Sequence, residues 1–164
     1  MSKDDMPMMS RALTIAAAIL TALLTLPAAS EQRHPIKPMM ITIETVPTAK
    51  LRYATAGDWQ FKSDGSLHIT VTQMSDRRYE FLVAVHELVE ALLCKQAGVS
   101  QAAVDAFDKA YETKRPPTDK DSEPGNAAGA PYRREHVIAS VTERLAAELL
   151  NVDWSRYSAE VASK

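Results

Sequence analysis

The sequence predicts an α+β domain: a small three-stranded sheet, antiparallel or mixed, followed by three helices. Three observations point there. Short stretches of alternating apolar and polar residues cluster before residue 75, longer stretches with helical periodicity follow them, and no internal repeat is visible. Sheet first and helices after is the order of an α+β fold rather than of alternating βαβ units.

Each element has its own justification. "MITIETV" (40–46) and "SLHITVTQ" (66–73) alternate in the manner of half-buried strands, and "LRYATAGDWQF" (51–61) reads as a third strand interrupted at Gly57. Asp64-Gly65, between the last two, is a hairpin signal. Ser75 and Asp76 are N-cap candidates for a helix over about 77–97, and Gly98 suits its end. Ser100 can cap a second helix, "QAAVDAFDKAYETK", which Pro116 and Pro117 close. The polar stretch 116–131, "PPTDKDSEPGNAAGAP", is long for a compact domain, which predicts a flexible or functional loop. Pro131 then suits the first turn of a third helix, "YRREHVIASVTERLAAELL". In the tail, Trp154 and Tyr157 are the packing anchors. The domain thus runs over residues 39–157, with 158–164 as a tail.

At 164 residues the chain can bury one sizeable core. A net charge of −2 supplies no basic field for nucleic acid, and no nucleic-acid motif is present. The single cysteine, Cys94, excludes an internal disulfide and reads as a small buried hydrophobe. Ahead of the domain, Arg11 precedes an apolar run from Ala12 to Leu26 and then small residues, the pattern of a secretory signal cleaved near Ala29 or Ser30. That run is short for a membrane span. The alternative is an extension upstream of a translation start at Met39 or Met40. On either account residues 1–38 stand outside the fold, and the protein is exported in the first case and cytoplasmic in the second.

The chemistry concentrates in "FLVAVHELVEALLC" (81–94), an apolar helix carrying His86, Glu87 and Glu90. Buried carboxylates without compensation cost far more than a helix recovers, and a bound cation is one way to compensate them. His86 and Glu90 are four residues apart, the spacing that sets two metal ligands one turn apart. Glu87 lies beside them, placed to take a proton from a metal-bound water. A third ligand is expected from the third helix, where Tyr132, His136, Ala139, Ser140, Glu143 and Ala147 form one stripe of small and polar residues. Val137, Ile138, Val141, Leu145 and Leu149 form the opposite, apolar stripe, expected to face a core. His136 is the third ligand on this reading. Glu143 would orient a ligand or take a fourth place, and Tyr132 would donate a hydrogen bond to a developing oxyanion.

The stretches "VHELVEALLCKQAGVSQAAVDAFD", "EPGNAAGAPYRREHVIASVTERLAAELL" and "VDW" resemble the small zincin-like proteins of bacteriophages and prophages, over about residues 40–157. The resemblance implies a zincin-like minimal domain, with His86, Glu90 and His136 as ligands to Zn²⁺ or another divalent metal and Glu87 as general base. Hydrolysis of a peptide or protein substrate is the reaction class such a site supports, and family members start near Met39 or Met40, which places such a chain in the host cytoplasm. The chain departs from most zincins in carrying glutamate at position 90 where a second histidine is usual.

Two other functions compete. Glu87 and Glu90 with Asp105 and Asp108, across the short turn Gly98-Val99-Ser100, resemble the carboxylate box of all-α nucleotide pyrophosphohydrolases, which hold Mg²⁺. A non-catalytic phage protein that binds a host or virion partner is the other alternative.

Overall fold

The computed structural model describes residues 38–116, 118–119 and 122–164, so the leader-like segment, with His34, lies outside the described residues. Pro38–Lys164 form a compact unit of their own.

The fold is α+β, as expected. Strands β1 (Ile41–Val46), β2 (Gly57–Phe61) and β3 (Leu67–Thr72) form one mixed sheet in the order β1-β3-β2. β2 and β3 are an antiparallel hairpin whose turn places Gly65 at φ 87°, a left-handed conformation that glycine adopts without penalty. β1 joins the other edge of β3 in parallel, Ile41 beside Leu67 and Val46 beside Thr72. Four helices follow: α1 (Arg77–Ala97), α2 (Gln101–Lys114), α3 (Arg133–Leu149) and α4 (Trp154–Val161). The fourth is built from the tail, and Tyr157 on it is fully buried.

Local signals account for the helix ends. Asp76, rather than Ser75, caps α1 by accepting from the Arg78 amide, and Gly98 at φ 74° ends it. Ser100 caps α2 and Asp153 caps α4 in the same way. Pro131 falls outside α3, whose N-cap is Tyr132 without a side-chain capping bond. The expected strand over 51–61 forms only from Gly57 onward. Residues 51–56 bend instead, because Arg52 is held by two acids, Asp58 and Asp105, across 2.6 and 2.8 Å.

The core lies between sheet and helices. Leu67, Ile69 and Val71, alternate residues of the central strand, are sealed from solvent against Leu82, Val83, Ala91 and Cys94 of α1. The other side of α1 packs on α3 more extensively than on any other element.

Here the structure corrects one expectation. The apolar stripe of α3, expected to face a core, turns the other way: Val137, Ile138, Val141, Leu145 and Leu149 face outward, with Leu149 76% and Val141 64% exposed. The stripe with Glu135, His136, Ala139, Glu143 and Ala147 is the buried one. Two physical terms turn the helix this way. Alanines allow the backbones of α1 and α3 to approach closely, and the polar groups of the buried stripe find partners on α1, α4 and the preceding loop, which removes most of their desolvation cost.

Candidate metal centre

α1 and α3 meet at three side chains expected to be ligands. His86 Nε2 lies 3.2 Å from His136 Nδ1, and Glu90 Oε2 lies 3.4 Å from the first and 3.0 Å from the second. A tetrahedral zinc with ligand bonds of about 2.0–2.2 Å requires donor atoms roughly 3.3–3.6 Å apart. The three atoms therefore form one face of such a tetrahedron, slightly contracted, and His86, Glu90 and His136 together could hold a divalent metal. The i, i+4 spacing on α1 supplies two donors, and the small-residue stripe of α3 delivers the third across fifty residues of chain.

The remaining polar atoms of the triad are also engaged. His86 Nδ1 is 2.8 Å from Glu143 Oε2, and the other oxygen of Glu143 accepts from the Tyr157 hydroxyl. His136 Nε2 is 3.0 Å from Glu123 Oε2. The Trp59 indole donates to Glu90 Oε1 across 3.0 Å, which leaves Oε2 turned to the histidines. Each imidazole thus has a carboxylate on its outer nitrogen, the arrangement that fixes the tautomer and raises the basicity of a ligating histidine. Glu143 thus meets His86 on the nitrogen turned away from Glu90 and His136 and does not join the triad itself.

Two glycines make the site possible. A Cβ on Gly125 would stand 2.6 Å from His136 Cδ2 and closer still to Cγ and Nδ1, so only glycine lets this backbone lie against the imidazole. A Cβ on Gly57 would stand 2.6 Å from Glu87 Oε1. The loop 116–131 therefore has a structural task here: its Glu123 and Gly125 hold one histidine from the side away from α1.

Electrostatics follow the same geometry. Burial opposes charging His136, but its bonds to Glu123 and Glu90 more than reverse this and raise it to about 9. His86 is likewise raised, with burial outweighed by bonds to Glu143 and Glu90. Glu87 makes no hydrogen bond to a described residue; burial, then the charge of Glu90, pushes it up to about 8. Glu90 itself is held low, since hydrogen bonds from His136 and His86 overcome its burial. The cluster is one of interdependent charges.

These groups lie in a cleft of about 810 Å³, whose walls include Tyr53, Asp58, Val104, Asp108, Tyr132 and Ser140. Tyr132, the expected oxyanion donor, gives its hydroxyl to Asp108 at 2.5 Å and is 3% exposed. Asp105 is taken by Arg52, so the two acids of the rival carboxylate box are both engaged elsewhere. His68 sits half-buried on β3, away from the triad, and Cys94 is sealed in the core.

Glu123, Trp59 and the two close-packed glycines escaped the sequence reading. The segment "EPGN" (123–126) marks a tight turn, but nothing local says that its acid reaches a histidine thirteen residues on. No family model, curated protein or solved structure gives a significant match to the chain. What stands is an α+β domain with a His-Glu-His group able to hold a divalent metal. Among the described residues no helix is long and apolar enough to cross a membrane.

Proposed function

We propose that the chain is a zincin-like metal-dependent hydrolase, with Zn²⁺ at His86, Glu90 and His136 and a peptide bond as its substrate. One observation carries this reading: three donor atoms within 3.0–3.4 Å of one another, each imidazole backed by a carboxylate. Two imidazole nitrogens and a carboxylate oxygen suit zinc, and three protein ligands with an open position are the catalytic pattern rather than the structural one. The resemblance to zincin-like phage proteins belongs to the same reading.

A divalent metal bound there would act as a Lewis acid and lower the pKa of a coordinated water. The rest of the chemistry is the chain's own. Glu87, on the turn that also carries His86 and Glu90, lines the cleft with a carboxylate engaged by no described residue. Burial and the charge of Glu90 raise its proton affinity toward neutrality, which suits a group that accepts a proton and returns it to a leaving amine. Glu143, braced by Tyr157, and Glu123 keep both imidazoles from turning. The hydroxyl of Tyr132 would reach an oxyanion only by leaving Asp108, so its first task is to position that acid.

Metal analysis of untagged protein tests the site, with about one zinc per chain expected and none in His86→Ala. The reaction is tested separately. Glu87→Gln should retain the metal and lose at least about a hundredfold in hydrolysis of a peptide library, the scale of a general base. A native protein that takes up no divalent metal overturns the proposal, and metal-loaded protein that hydrolyses no peptide limits it to a binding centre. The same donor set also serves iron, which the metal analysis distinguishes.

A further inference from the structure

The outward apolar stripe of α3 is arranged symmetrically about a single residue, and we infer that it is the contact through which two copies of this chain pair in solution. At 100° per residue, Arg134, Val137, Ile138, Arg144, Leu145 and Glu148 all fall within about 60° of Val141 on the helix surface. Every one of them is exposed. Two of the three pairs equally far before and after Val141 are complementary, Val137 with Leu145 and Arg134 with Glu148; in the third, Ile138 corresponds to Arg144, whose guanidinium lies over Trp154 and leaves its alkyl stem for contact.

A two-fold axis through Val141, perpendicular to the helix, turns that internal correspondence into an interface. It sets Val141 on its own copy once, on the axis, and sets Val137 on Leu145 of the partner and Arg134 on Glu148 of the partner, each of these two contacts occurring twice. This is an isologous interface, in which one patch must be complementary to itself. Opposite charges sit at the two ends of the stripe, about 21 Å apart along the helix, and they select the antiparallel orientation over the parallel one. A parallel pair would oppose arginine to arginine and glutamate to glutamate.

Among the described residues nothing buries this face, and its charged ends stay exposed in their pairings. Arg134 is 77% and Glu148 66% exposed at the side chain; their partners within the chain are Glu135 at 3.4 Å and Arg144 at 3.2 Å. Between them Val141 is 64% and Leu145 61% exposed, and Val137 and Ile138 are exposed as well. A single helix seam is smaller than the interfaces of stable complexes, so the dimer is a weak one. Val137, Val141 and Arg144 also border the cleft, and a partner helix seated on them becomes one of its walls.

Sedimentation equilibrium of the full chain, over about 5–500 µM, tests this at the affinities a small interface supports. The native chain should associate reversibly to a dimer. Val141→Arg, an exposed site that folding does not use, should leave a monomer throughout. Arg134→Glu alone and Glu148→Arg alone should each weaken association at least about tenfold, and the two together should restore it to within roughly threefold. Thermal unfolding of each variant checks that the monomers are folded. A native chain that is monomeric throughout overturns the inference. So does a dimer indifferent to Val141→Arg, or a double variant that fails to recover. A strictly monomeric chain that instead co-sediments with anionic phospholipid vesicles assigns the face to a membrane surface and overturns it too.

Discussion

Gly125→Ala should cripple the metal site without touching the core. Its added methyl would lie 2.6 Å from His136 Cδ2, whereas ordinary contact begins at 3.4 Å. Ring and loop must therefore separate by at least about 0.8 Å, the difference between these two distances, and the neighbouring ring atoms require more. If the ring yields, Nδ1 moves several times farther than the roughly 0.2 Å that a metal–ligand bond tolerates. If the loop yields, the 3.0 Å bond from His136 to Glu123 exceeds hydrogen-bonding range. Losing only that outer carboxylate weakens metal binding by about 10–100-fold, or about 1.4–2.8 kcal/mol, and losing the ligand position weakens it more. Competition against a chromophoric chelator measures the affinity, and Co²⁺ spectra report the ligand geometry. Thermal unfolding in chelator should fall only by what the lost His136–Glu123 bond contributed, because Gly125 lies outside the hydrophobic core. An affinity within about threefold of native would refute the proposed packing of this loop on His136.

Trp59→Phe should reduce metal affinity by about 10–100-fold through loss of the indole bond to Glu90, and it should also lower stability, since Trp59 is a core residue. Asp105→Ala with Asp108→Ala should leave metal binding nearly intact. Magnesium-dependent release of pyrophosphate from nucleoside triphosphates, abolished in that double variant, would instead favour the carboxylate-box function. The metal-free protein should lose stability as pH rises from about 6.5 to about 9. The raised pKa of His136 stabilises the fold fully below the unfolded value and ceases to do so as pH passes about 9; Glu87, raised to about 8, loses its stabler protonated form over part of the same window. Chelator-treated protein melted across that range should show a falling Tm, whereas metal affinity should rise with pH as protons stop competing for the imidazoles.

What the sequence disclosed was whatever short-range chemistry controls. The start and end of α1 follow from Asp76 and Gly98, and two of the three candidate ligands follow from one helical turn. The third candidate was legible because alanines on α3 marked the side that could approach another helix. The orientation of α3 was not legible in full. Hydrophobicity identifies which stripe is apolar, but whether that stripe faces inward depends on whether the polar stripe can satisfy its own groups in the interior. Here it can, through Glu90, Glu123, His86 and Tyr157, and those partners come from three separate segments. Trp59 and Glu123 were hidden for the same reason, since each acts on a residue whose position only the assembled fold provides.

His86 and His136 are separated by fifty residues, and α2, its flanking turns and the loop 116–131 all lie between them. An ion gripped by both would close that length of chain into a ring, as a disulfide would, and for a ring of this size the chain-entropy cost removed from the unfolded state is about 4 kcal/mol. A protein with one cysteine cannot form such a link by oxidation. This one can have it reversibly, made when the cation arrives and undone when it leaves, so that the supply of a trace element would set how long the whole domain survives proteolysis.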